Sequence, residues 1–323
     1  MQLTGLHHVT AITGQAARNV EFYTQVLGLR LVKKSVNQDD VSAYHLFYAD
    51  AVGSPGTDVT FFDWPHTVKN RNGAGSIARI ALRVPSREAL EWWARRLAEL
   101  GIPQEGPLEE GGADAILFSD PEGQALALVN DGGVPGGTPW ERSSVPVEMG
   151  IRGLHAVTLM VRDLQPTARV LTQVLGFQPV REYLAEGDPA RRVSVFAAGG
   201  GGPGTEVHVE AGPHLEPARQ GRGGVHHVAF RTPDDEQHRE WQQRIAGAGL
   251  QVTPVIDRYY FKSIYFREPG GILYEIATDG PGFATDEDLD HLGERLALPP
   301  FLEPHRERIE AGLRPLETDR AAR

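Results

Sequence analysis

Leu6-His7-His8-Val9-Thr10 returns 148 positions on as Leu154-His155-Ala156-Val157-Thr158. The spacing persists outward from that pair. Thr24-Gln25-Val26-Leu27-Gly28-Leu29 matches Thr172-Gln173-Val174-Leu175-Gly176-Phe177, and Pro55-Gly56-Thr57-Asp58-Val59 matches Pro203-Gly204-Thr205-Glu206-Val207. Arg83 and Pro85 answer to Arg231 and Pro233, and Pro121 and Gly123 to Pro269 and Gly271. So long a register without net insertion marks a duplicated unit, and a duplication constrains the fold before any local propensity is weighed.

Each copy divides again. An apolar strand pattern at Leu6–Ile12 leads into a helical pattern over Ala16–Leu27, which Gly28 ends as a C-terminal cap. Strand-like runs follow at Leu29–Val32, Ser42–Tyr48 and Asp58–Asp63. The next quarter repeats the order. Ile77–Val84 reads as a strand, and Ser86 caps a helix with Leu90, Trp93, Leu97 and Leu100 at helical spacing. Gly101 stops it, and strands follow at Ala115–Ser119 and Ala125–Val129. The chain is therefore α+β, with four βαβββ modules near residues 4–63, 75–130, 152–210 and 223–278. They group as two duplicated halves, 1–140 and 141–280, joined by a Gly- and Pro-rich stretch beginning at Asp131–Pro139. A partly helical, acidic tail occupies 281–323. Its Asp286–Asp290 stretch reads as a solvated face, with a tail that lids the site as the alternative, and its last few residues are expected to be disordered.

Composition narrows the chemistry. With 323 residues, 40% hydrophobic and 23% charged, the chain is long enough for two cores of ordinary size. A formal charge of -11 without a basic patch speaks against nucleic acid. No apolar run approaches the roughly 20 residues that cross a bilayer, and no signal peptide is visible, so the expectation is a cytoplasmic protein without a membrane partner. Self-association into a homo-oligomer stays open. The absence of cysteine leaves only nitrogen and oxygen ligands for any metal.

The places where the four modules differ carry the chemistry. The first-strand position holds His8, Arg79, Ala156 and His227; the last-strand position holds Thr60, Ala127, His208 and Glu275. His and Glu thus fall at four of the eight places, the pattern of a duplicated fold that kept one metal site and lost its twin. Glu275 lies among Ile272, Leu273, Tyr274 and Ile276, where an unpaired buried carboxylate would be costly. Two imidazoles and a carboxylate form a facial triad with open positions, suited to iron(II), although manganese or zinc could take the same ligands. The triad is His8, His227 and Glu275 if modules one and four face each other, and His208, His227 and Glu275 if modules three and four do.

Four stretches carry a family resemblance over about residues 4–280: Gly5–Thr10, Gly224–Phe230, Asp257–Arg267 and Tyr274–Ala277. With these the chain resembles the vicinal-oxygen-chelate superfamily of glyoxalases and extradiol dioxygenases, and within it the hydroquinone ring-cleaving dioxygenases. The resemblance implies curved mixed sheets forming open barrels with helices outside. It also implies His8, His227 and Glu275 as ligands of one Fe(II), with His7, Thr10, His226, Arg258 and Tyr265 around the substrate. Ala156 departs from the catechol-cleaving enzymes, which take their first histidine from the third module. Thr10, two residues from His8, shares its face; His7 and His226 should point away unless their strands bulge.

The expected activity is iron-dependent opening of a hydroquinone-type or related aromatic diol by O2. Arg258 would stabilise anionic charge, and His226 or Tyr265 would shuttle protons. Two rivals stand beside it: a glyoxalase-like isomerase or lyase without O2 chemistry, for which Thr60 is a departure from the usual additional ligand or base, and a metal-free protein that binds aromatic compounds.

Overall fold

A computed structural model describes residues 1–185 and 191–318; the expected disorder of the last few residues lies outside that range. Module one supplies β1 (Leu6–Thr13), β2 (Arg30–Asn37), β3 (Asp40–Ala49) and β4 (Asp58–Asp63), and module two β5 (Ser76–Val84), β6 (Gln104–Glu110), β7 (Ala113–Ser119) and β8 (Ala125–Asn130). Module three supplies β9 (Leu154–Val161), β10 (Gln178–Leu184), β11 (Arg192–Ala197) and β12 (Glu206–Ala211), and module four β13 (Gly224–Thr232), β14 (Ile256–Asp257), β15 (Lys262–Arg267) and β16 (Leu273–Thr278). One helix follows the first strand of each: α1 (Ala16–Glu21), α2 (Arg87–Glu99), α3 (Leu164–Arg169) and α4 (Asp235–Gly247). A fifth, α5 (Arg306–Gly312), lies in the tail. The α+β reading holds, with two curved, mixed eight-stranded half-barrels.

The half-barrels do not follow the order of the sequence halves. One sheet runs β14-β15-β16-β13-β1-β4-β3-β2 and joins modules four and one; the other runs β10-β11-β12-β9-β5-β8-β7-β6 and joins modules three and two. The first-strand pairs, β1 with β13 and β5 with β9, are antiparallel, and each first strand is parallel to the last strand of its own module. Alternation then sorts the side chains. Val9 and Ala11 enter the main core, whereas His8 and Thr10 line a cavity on the other face. That core also holds Trp93 of α2 and Trp241 of α4.

Local expectations hold with instructive differences. Ser86 Oγ accepts from Ala89 N at 3.2 Å, as its capping role requires. The helix expected over Ala16–Leu27 is α-helical only to Glu21. Its last turn widens so that Leu27 N donates to Phe22 O at 3.0 Å, five residues back, and Leu175 N does the same to Val170 O in the copy. Gly28 then takes φ 71°, a left-handed conformation that suits glycine. Strand β2 extends well beyond Val32, because Lys33 interrupts the apolar pattern without leaving the interior.

Lys33 also corrects the solvated reading of the tail at two of its residues. Its fully buried ammonium donates to Phe283 O (3.0 Å), Asp286 Oδ1 (2.7 Å) and Glu287 Oε2 (2.5 Å). Asp286 is only partly exposed and Glu287 is buried, so these two face a cation inside the protein, whereas Asp288 and Asp290 are exposed as expected. Further along, Leu298 and Ile309 pack on Val36, and Arg314 pairs with Asp63. Removing the cation would strand two carboxylates at a dry contact. Lys33→Met is expected to lower unfolding free energy by about 3–5 kcal/mol in urea titrations and to expose the tail to trypsin; an unchanged midpoint with an intact tail would contradict this.

Candidate metal centre

Three side chains from neighbouring strands meet below the floor of a cavity. His8 comes from β1, His227 from β13 and Glu275 from β16, all buried. Ala229 lies between His8 and Glu275, paired with both, and Thr10 stands opposite His227. His227 Nε2 lies 2.8 Å and His8 Nε2 3.2 Å from Glu275 Oε2, and one ligand atom from each residue falls within 4.8 Å of the others. Among the described residues no second such group of His, Asp or Glu exists. The competing set fails because His208 belongs to the other half-barrel, where it contacts Tyr183 and Glu206.

Two of the converging atoms, His227 Nε2 and Glu275 Oε2, are buried without a hydrogen-bond partner. An unmet pair of this kind is costly unless a cation lies between them. The spacing agrees. Donors about 2.1 Å from a shared ion and at right angles to one another stand about 3 Å apart. The other carboxylate oxygen, Oε1, accepts from Ser263 Oγ at 2.5 Å, which turns Oε2 toward the imidazoles. Burial opposes ionisation of Glu275, but His8 and His227 outweigh it and hold the carboxyl well below its usual range.

The doubled histidines orient the rings. In the β1–β13 pairing two residues, Leu6 to His8, span one step of β13, so His7 is a bulge; Val225 to His227 span one step of β1, so His226 is its counterpart. His7 Nδ1 lies 2.9 Å from His8 Nδ1, and His226 Nδ1 2.8 Å from His227 Nδ1. His7 Nε2 lies 3.1 Å from the Thr278 carbonyl, which can only accept, so that nitrogen carries the proton. Burial pushes His7 down to about 3, aided by His8, and the ring is neutral near pH 7. Its Nδ1 therefore accepts from His8 Nδ1–H, which leaves His8 Nε2 as the nitrogen that faces Glu275. Burial disfavours a charged His8 ring, but the Glu275 carboxylate raises it above its ordinary value, so a proton or a metal ion is favoured between the two. Neither His7 nor His226 lines the cavity.

The cavity, about 470 Å³ with its open mouth included, is bounded by His8, Thr10, His227, Arg258 and Tyr265, together with residues the sequence did not single out. Arg258 arrives on the segment after β14, where Tyr259 takes φ 73°, and its guanidinium grips Asp39 (2.8 and 3.2 Å) 5.5 Å from the Tyr265 ring. Phe47, Phe62 and Phe261 give aromatic walls. His45 Nε2 lies 2.8 Å from Thr60 Oγ1, which donates to Thr10 Oγ1 at 2.9 Å. Thr60 holds in module one the last-strand place that Glu275 holds in module four, and its hydroxyl is already bonded between two neighbours. Phe283 of the tail packs against Phe47 and Tyr260, at 5.2 and 5.4 Å between rings, which braces the wall from behind. Asp58, opposite His8 in the β1–β4 pairing, is buried with both oxygens unpartnered, and burial pushes its carboxyl up to about 7 against the influence of His8. His45 lies inside an apolar strand and Ser263 inside Asp257–Arg267, so both were visible as polar residues in apolar settings. Asp39, in a polar turn, gave no such signal.

Comparison with known proteins adds independent findings. The family described as the Glyoxalase/Bleomycin resistance protein/Dioxygenase superfamily matches residues 5–128 and 153–276. MhqA of Bacillus subtilis strain 168, which carries a provisional name as a ring-cleaving dioxygenase, is 46% identical over 318 residues, 98% of this chain and 100% of the relative. A chlorohydroquinone/hydroquinone 1,2-dioxygenase of Sphingobium indicum is 29% identical over 308 residues, 94% of this chain and 93% of that one. A crystal structure of a provisionally named dioxygenase from B. subtilis superposes with TM-score 0.90 at 39% identity, covering 98% of this chain and 99% of the other. Among the described residues no helix is long and apolar enough to cross a membrane.

Because His7 sets the ring state of His8 without touching the cavity, His7→Leu is expected to weaken Mn(II) or Fe(II) binding about 10–100-fold, read by calorimetry on protein whose circular dichroism matches wild type. Unaltered affinity would show that the relay to Thr278 does not matter.

Proposed function

The chain belongs to the Glyoxalase/Bleomycin resistance protein/Dioxygenase superfamily, and on that premise we propose that it is an iron(II)-dependent ring-cleaving dioxygenase. Its substrates would be a hydroquinone-type or related aromatic diol and O2. The observation that carries the reading is the set of three buried donors with two unpartnered atoms, two of whose residues line an aromatic-walled cavity, with no fourth ligand at Thr60. A glyoxalase-like site would be expected to place an additional ligand or base there.

In this reading His8, His227 and Glu275 hold the ion from one side. Iron(II), when bound, supplies the electron path from the ring to O2 that ring opening requires. The remaining work falls to the chain. Phe47, Phe62 and Phe261 receive the flat ring and keep water from it. The Arg258 guanidinium offers preorganised positive charge to an anionic ring oxygen. Of the two expected proton carriers, Tyr265 lines the cavity, whereas His226 is engaged with His227. Burial and Glu275 raise the Tyr265 phenol above its ordinary value, so it stays protonated at neutral pH and can donate. Thr60 donates to Thr10, which leaves the Thr10 hydroxyl proton available to a ligand oxygen.

Protein loaded anaerobically with Fe(II) is expected to consume O2 on addition of hydroquinone and to place both atoms of 18O2 in the opened product. The zinc-loaded form should do neither. Arg258→Met is expected to lower kcat about 10²–10³-fold. Turnover by zinc or nickel protein without O2 would instead select the isomerase or lyase reading, and protein that takes up no metal yet binds hydroquinone would select the binding-protein reading.

A further inference from the structure

The second half-barrel has a cavity where the duplication places the twin of the metal centre. By the 148-residue register Ala156 stands for His8, Ala127 for Glu275, Arg79 for His227 and His155 for His7. The empty space there, its open mouth included, is about 380 Å³, comparable to the roughly 470 Å³ beside His8 and His227. Much of its wall is methyl groups, from Ala81, Ala113, Ala115, Ala127 and Ala156.

The charged groups around it already have partners. Arg79 pairs with Glu110 at 2.9 Å and Arg181 with Glu206 at 2.7 and 2.8 Å. His208 meets Tyr183 Oη at 3.0 Å and Glu206 Oε2 at 2.9 Å. One polar atom stands apart. His155 Nδ1 is buried and has no hydrogen-bond partner. His155 is the bulge residue of β9, since Leu154 to Ala156 span one step of β5, as His7 is of β1. In β1 that nitrogen meets the next residue's imidazole; in β9 the next residue is alanine, and the room of one planar ring is left as cavity.

We propose that this cavity is a binding site for a small neutral phenol, with its hydroxyl on His155 Nδ1 and its ring against the alanine methyls. The alternatives fit worse. An anion would meet Glu110 and Glu206, which already hold the two guanidiniums, and a metal ion would find alanine at two of the three ligand places. A hydroxyl both donates and accepts, so it suits a neutral imidazole nitrogen in either tautomer. Burial pushes His155 down to about 4, consistent with a neutral ring near pH 7. The site is independent of the metal reading.

The test is titration of the full chain with 4-fluorophenol, followed by 19F NMR and calorimetry, with crystals soaked in the same compound. Wild type should bind a phenol at His155. Ala156→Leu, which fills the ring-sized space, should abolish that binding while leaving metal uptake at the first half-barrel unchanged. Should Ala156→Leu not fold, His155→Leu should weaken the same binding about tenfold or more. Unchanged stoichiometry and affinity in the variants, or only an ordered water on His155 Nδ1 in soaked crystals, would overturn the proposal. Loss of metal binding or of ring cleavage in wild type would count against the first site alone.

Discussion

Two imidazole nitrogens and a carboxylate oxygen crowd one buried point, and the architecture around them makes sense as the means of holding them there. A carboxylate in a dry interior carries a desolvation penalty that neighbouring lone pairs cannot relieve. Only a positive charge between them can, whether a proton or a metal ion. The β1–β13 pairing brings residues more than two hundred positions apart into adjacent strands, and parallel pairing with β16 delivers Glu275 beside them. Ser263 fixes the remaining carboxylate oxygen. The geometry is therefore a property of strand register, which a one-residue slip would destroy.

The bulges refine that register. Each adds one histidine beside a cavity-facing histidine, so that the outer ring meets the inner ring through Nδ1. On the β1 side the chain of hydrogen bonds ends at a backbone carbonyl, which fixes the direction in which His7 and His8 share their hydrogen bond. The same device persists in the other half-barrel at His155, although Ala156 has replaced its partner. One copy thus retains donors and aromatic walls while the other has exchanged donors for alanine and internal ion pairs. The tail supports the first copy from outside through Lys33 and Phe283.

Much of this was legible in the sequence. The 148-residue repeat gave the modules, and the mismatches between them gave the histidines and Glu275. Module pairing was not legible from the residues themselves, because strand neighbours across a duplication depend on sheet closure rather than local pattern; family resemblance favoured modules one and four, and β1 beside β13 agrees. The condition attached to His7 and His226, that they face inward only at a bulge, could be named but not decided, since no residue type there marks a bulge. The inward turn of Asp286 and Glu287 was not legible for a related reason: Lys33 and the acidic stretch each look like ordinary surface until one is brought against the other. Asp39 was invisible because a polar turn residue looks the same whether or not an arginine reaches it.

The most direct measurement is anomalous diffraction at the iron edge from crystals of Fe(II)-loaded protein. One peak per chain is predicted, about 2.0–2.2 Å from His8 Nε2, His227 Nε2 and a Glu275 oxygen. No peak at that point, or a peak that excludes His8, would contradict the metal centre described for this fold.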